Sequence, residues 1–434
     1  MKFLASLTLF FIFLTACAGP TVAPVQPTPS TKAANTPTPA PIARATNTPA
    51  PTNTPPPTDT PAPLTTKLIL WENLAPAQAD QLSLDIKAFK QFYPNARIEI
   101  QHYDNPQELA AAIIEGRVDY DIVLGAMPLL SPLQQADKLQ PLSQLFPPDF
   151  LNAFASVTLT GASAEDELWG LPDSAGFHLL LFYNRDLLET PPSTTEEMRD
   201  LAADLSGGAQ WGLVLNSFDP LWVLPWLSGF DGWIIDDEGA PTLNTEAMAQ
   251  TLTLYKSWHQ MPGGIAPQVS LLKARELFNE GKAAMLIDGE WAIGELAQES
   301  QIPWSVAVLP AVGEDERPAA PLVLARCWAL SADTSGRQAE AAIAFLEFIT
   351  RAERQLVWTE KFGLLPTRRD ALNSPQILTD PALRVSAQQL QNGKGLPLDV
   401  DAVSLLNAMR QPLDLMLRGK VEPTEAAAQM TNDE

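Results

Sequence analysis

The stretch FNEGKAAMLIDGEW, residues 278–291, decides how this chain is read. It ends a helical pattern that begins at KAREL, stops it at Gly281, and passes into an apolar strand over 283–287. Glycine is the residue that most readily takes the left-handed conformation of a helix stop. Gly289 then turns the chain, and a second helix starts at about Trp291. Helix, strand and helix in immediate succession are the unit of an α/β sheet.

The same alternation runs outward in both directions. Upstream, KLILW (67–71) is a short buried strand, and Leu82, Ile86 and Phe89 fall on one helical face before Pro94 ends it. ARIEIQHY alternates as a strand; Asn105 caps a helix with Pro106 in its first position, Glu108 three past the cap, and Gly116 at its end. DIVLGA is a further strand, so strand–helix–strand–helix–strand predicts a parallel sheet with right-handed crossovers. GFHLLLFYN, WSVAVLP and LARCWALS read as strands; 245–260, 336–363 and the tail from Asp401 read as helical, with Pro423 opening the last helix.

The N-terminus is of another kind. Met1 and Lys2 precede an apolar run over 3–14, too short for a membrane span of about 20 residues and right for a secretory signal. It ends Leu14-Thr15-Ala16-Cys17, which resembles the lipobox of bacterial lipoproteins; the resemblance implies cleavage after residue 16 and a diacylglyceryl anchor on Cys17. From 18 to 66 the chain is mostly Pro, Thr and Ala and has too little apolar surface to fold. At about 3.1 Å per residue of polyproline II, it is expected to be a stalk reaching roughly 150 Å at most.

From about Lys67 the chain is long enough for two lobes. A net charge of −23 with no Lys/Arg-rich run opposes nucleic-acid binding and attraction to anionic lipid, so the membrane is met through the anchor alone. With Cys17 lipidated, Cys327 has no intrachain partner. His102, His178 and His259 stand in no metal-ligand spacing, and the acidic stretch DGWIIDDEG (231–239) lacks the EF-hand pattern; no metal and no cofactor are expected.

Five ordered blocks then resemble the extracellular solute-binding proteins of ABC importers, in the family of maltose-binding protein. They are LWEN (70–73), DYDIVLGAMPLLSPLQQADKLQPLSQL (119–145), LWGLPDSAGFHLLLFYNRDLL (168–188), FNEGKAAMLIDGEW, and FGLLPTRRDAL (362–372). The resemblance implies a two-lobed α/β fold of the periplasmic-binding type, each lobe a sheet flanked by helices, with a hinged cleft between. Carried over, the first lobe is 67–175 plus 305–362 and the second is 176–304 plus 363–434.

The resemblance also implies ligand contacts. Trp291 matches the cleft tryptophan, whose flat face suits the C–H patches of a sugar. Trp222 stands where relatives place an aromatic, with Trp226 and Trp233 as competitors. Glu72 and Asn73 follow the first strand, Asp173 and Ser174 sit at the first hinge crossing, and Arg326 lies on a cleft-lining strand. Gly363 and Leu364 match a lining loop. The chain departs from sugar-binding relatives at GAMP (125–128), which is poor in hydrogen-bonding side chains, near Ser404 and Leu405, where an aromatic is lacking, and in PDSAG (172–176), which lacks an expected Glu.

The function expected is therefore a monomeric, lipid-anchored protein on the outer face of the membrane. It captures a small solute, a sugar or oligosaccharide, and delivers it to ABC permease subunits. A surface sensor or scaffold of the same fold is the alternative. A tethered glycan hydrolase would need paired carboxylates, for which Asp288 and Glu290 are the nearest candidates.

Overall fold

The computed structural model describes residues 66–260, 265–266, 269–313 and 315–430. The signal, the lipobox with Cys17 and nearly all of the Pro/Thr-rich segment lie outside the described residues. Among the described residues twelve strands form three sheets: β1 Thr66–Glu72, β2 Ala96–His102, β3 Ile122–Gly125, β4 Ser163–Ala164, β5 Glu167–Leu168, β6 Leu171–Gly176, β7 Leu179–Asn184, β8 Trp211–Leu215, β9 Ala283–Gly289, β10 Trp304–Ala307, β11 Leu324–Leu330 and β12 Leu365–Pro366. One sheet has the order β12-β6-β11-β3-β1-β2, a second β10-β7-β9-β8, and β4 and β5 form a small hairpin.

β1, β2 and β3 are parallel, as the alternating pattern predicts, and the helices between them bury the expected faces. In the helix Pro76–Phe92 the buried residues include Leu82, Ile86 and Phe89. The helix Pro106–Ile114 is capped by Asn105, whose Oδ1 accepts from the Gln107 and Glu108 amides at 2.9 and 3.0 Å. The rest of the first sheet is not parallel. β11 runs antiparallel to both β3 and β6, because it enters this lobe from the other one.

Each of the two large sheets carries its own apolar core. The first gathers β1, β3 and β11 around Phe89, Trp328 and Phe345. The second gathers β7, β8 and β9 around Trp226, Tyr255 and Trp258, with the Trp226 and Trp258 rings perpendicular at 4.9 Å. Fully burying one such large side chain stabilises by about 1.5–3 kcal/mol, so each lobe holds together by its own packing.

The chain passes between the sheets at Phe177–His178, linking β6 to β7, and again between β10 and β11. Two strands pair differently from the boundaries expected from sequence. Ser305 pairs with Tyr183, so 304–307 belongs to the second sheet; the chain is already paired there at Pro303, whose carbonyl accepts from Arg185. Leu365 pairs with Ala175, so the first sheet extends past 362. The helix Pro381–Asn392 braces the crossings. Its Ser386 Oγ lies 2.8 Å from His178 Nε2, and Gln389 accepts from the Leu309 amide at 2.7 Å and donates to the Ala319 carbonyl at 3.0 Å.

Candidate ligand cleft

Strand direction sets the cleft. The C-terminal ends of β1, β3 and β6 lie on one edge of the first sheet, together with the start of β11. β8, β9 and β10 end, and β7 begins, on the facing edge of the second. Ligand sites in open α/β sheets lie beyond such strand ends. The residues presented there are 72–73, 125–128, 174–177 and 324–326 from the first lobe, and 216–219 and 289–291 from the second.

Trp291 stands at this edge, half-buried, as the N-cap of the helix Ala292–Glu299. Its ring folds over Gly289, where a side chain would collide with it. Phe177 flanks it, ring centroids 5.5 Å apart and planes at 44°. Glu290 ties the hinge down. Its Oε2 accepts from the Phe177 amide at 3.0 Å, and its own amide donates to the His178 carbonyl at 3.0 Å. Gly176 is required beside it, since a Cβ there would strike the Glu290 carboxylate. Burial pushes Glu290 up to about 7 and the wholly buried His178 down to about 4. Phe177 adopts φ 69°, a left-handed conformation that costs a bulky residue roughly 1–2 kcal/mol.

Other expected contacts are satisfied inside the protein. Glu72 is 2% exposed; it accepts from the Leu74 amide and lies 3.2 Å from His102 Nδ1. Asp173 accepts from Arg326 Nε and from Trp328 Nε1, each at 2.9 Å, and Arg326 stacks 5.5 Å from the Trp358 ring centre. A bulge makes this pairing possible. Arg326 lies opposite Ser174 while Cys327 lies opposite Pro172, so Asp173 is the extra residue and turns toward the face of Arg326 and Trp328. Trp222 is a correction: it is 2% exposed and donates to the Ile287 carbonyl at 2.8 Å, a core tryptophan with no face to offer. Trp226 is wholly buried, and Lys394 covers Trp233 at 5.2 Å.

Asn73 and Ser174 remain half-buried at the edge. Gly363 is exposed at φ 68°, the stop of the helix Ala352–Phe362, and the Leu364 carbonyl accepts from the Thr359 hydroxyl at 2.7 Å. Met127 and Phe177, which sequence reading did not single out, also stand at this edge, together with Glu290, read from sequence only as a candidate acid. Met127 packs against the apolar cores of both lobes. Its position in GAMP, directly after β3, was the available signal.

Residues 86–385 match the family model described as bacterial extracellular solute-binding protein. The maltotriose-binding protein of Pyrococcus abyssi is 20% identical over 81% of this chain and 78% of its own. A maltooligosaccharide ABC transporter solute-binding lipoprotein of Streptococcus pneumoniae is 22% identical over 62% of this chain and 65% of its own. The structure of a cyclo/maltodextrin-binding protein complexed with maltotetraose superposes with a TM-score of 0.76 at 20% identity, covering 86% of this chain and 97% of that one. The two lobes, the cleft between their strand ends and the extent of the family match agree: the chain belongs to the bacterial extracellular solute-binding proteins.

Proposed function

We propose that this chain is a lipid-anchored receptor that captures a saccharide outside the cell by hinge closure and hands it to an ABC permease. The observation that carries this reading is the half-buried indole of Trp291, set by a strand end and a glycine turn on one lobe beside the hinge residue Phe177. A ligand touching both lobes binds the closed form better than the open one, and that difference in affinity is what drives closure. The relatives described above are named as binding proteins, and one as a lipoprotein, which supports both the capture and the anchor at Cys17.

The hydrolase reading is not supported by its two nearest candidate acids. Asp288 is wholly buried and held by Arg275, whose Nε and Nη2 reach its two carboxylate oxygens at 2.5 and 3.2 Å. Glu290 is engaged with the hinge amide of Phe177. Neither is presented to a glycosidic oxygen. Thermal unfolding of the full chain against a saccharide panel tests the proposal. A ligand at one hundred times its Kd stabilises by about 2.7 kcal/mol, a shift of several degrees; no shift with any saccharide contradicts it.

A further inference from the structure

The relatives bind maltotriose and maltotetraose by name, and a cleft for such chains must stay open along its length and supply hydrogen bonds to every ring. Two features of this cleft oppose both requirements. Met127, the first residue of the helix Met127–Gln135, reaches across and packs on the core of the second lobe while remaining against its own. Phe177 lies on the flank of Trp291 and narrows the indole face from the hinge side.

The polar inventory is also short. Glu72 is closed off by Leu74 and His102, and Asp173 and Arg326 hold each other. Asn73 and Ser174 are the two residues among those expected from sequence whose side chains stand half-buried at the edge with no hydrogen bond to the described residues. Each pyranose ring brings several hydroxyls, and each one desolvated without a partner costs about 1–3 kcal/mol. With Asn216 on the facing lobe, half-buried and likewise without a side-chain hydrogen bond to the described residues, three free polar side chains and a few backbone groups match one or two rings.

On the reading of a saccharide receptor, we infer that this cleft takes a solute of one or two sugar rings, held mainly on its apolar faces by Met127, Phe177 and Trp291, and rejects longer chains. Met127 is the residue that closes the far end.

Isothermal titration of the full chain in a non-glycosidic detergent tests this. The titrants are glucose, maltose, maltotriose and maltotetraose, a panel of other mono- and disaccharides, and the tri- and tetrasaccharide homologues of whichever disaccharide binds. The expected result is tightest binding by a one- or two-ring sugar and at least about tenfold weaker binding of its four-ring homologue, as one or more unpaired hydroxyls require. In Met127→Ala the four-ring sugar gains relative to the two-ring one. Affinity that climbs from two rings to four in the unaltered chain overturns the inference and leaves the receptor reading standing. Silence toward every saccharide overturns the receptor reading and this inference with it. The length series on the unaltered chain decides even where the variant fails to fold.

Discussion

Trp291 has Gly289 beneath its ring and Phe177 at its flank, so its position is fixed before any ligand arrives. Ligand stacking on a preorganised ring does not have to order the ring, and such anchors carry much of a binding energy. Trp291→Ala is expected to weaken saccharide binding at least about tenfold in calorimetry, while unfolding stability falls by only about 1–2 kcal/mol because the residue is half-buried. Asp288 behaves oppositely. Asp288→Asn leaves Arg275 with a weakened partner in a buried site, though Glu295 stays 2.5 Å away, and is expected to lower stability by up to about 3–5 kcal/mol in urea unfolding. The place of Trp291 at a strand end was legible in the sequence because the aromatic follows the strand and its glycine turn within two residues. The pairing of Asp173 with Arg326 was not: the two residues are 153 positions apart, and a bulge that no local pattern announces turns one toward the other.

Elements were legible where their signals are local. Asn105 with Pro106 marks a helix start, and Gly116, Gly281 and Gly363 each mark a stop at positive φ. The direction of β11 and the pairing of β10 and β12 depend on which lobe the chain has just left, and residue periodicity does not record that. The helix Pro381–Asn392 shows why this matters, because it bonds to both crossings through Ser386 and Gln389. Gln389→Leu removes the partner of two buried backbone groups. It is expected to cost about 2–4 kcal/mol in denaturant unfolding, at roughly 1–3 kcal/mol per orphaned group with partial relaxation. Ser386→Ala, which removes one bond, is expected to cost less.

At the scale of the whole molecule, protonation sets the pH range of stability. His178 is held near 4 when folded and returns to about 6.5 when unfolded, so the unfolded chain binds the extra proton between those values. Stability from this group is therefore full above about pH 6.5 and is lost as pH falls toward 4, by about 3 kcal/mol in all. His259, also pushed down to about 4, adds in the same direction, less strongly because it is partly exposed. Glu290 opposes them: raised to about 7, it favours the fold most below its unfolded value and loses that contribution as pH rises through 7. The sum predicts an unfolding temperature that rises from pH 4 to about 6.5 and then flattens. His178→Leu should reduce the rise, and a curve that falls over that range contradicts the assignment.

Closure of one lobe on the other is the claim on which the function depends. Spin labels on cysteines placed at exposed Asp104, beyond β2 on the first lobe, and exposed Asp237 on the second report the separation directly, since Cys327 is buried and does not compete for label. The account predicts that a saturating saccharide shortens and narrows the distance distribution measured by pulsed electron resonance. A distribution that stays unchanged while calorimetry shows the site filled would contradict it.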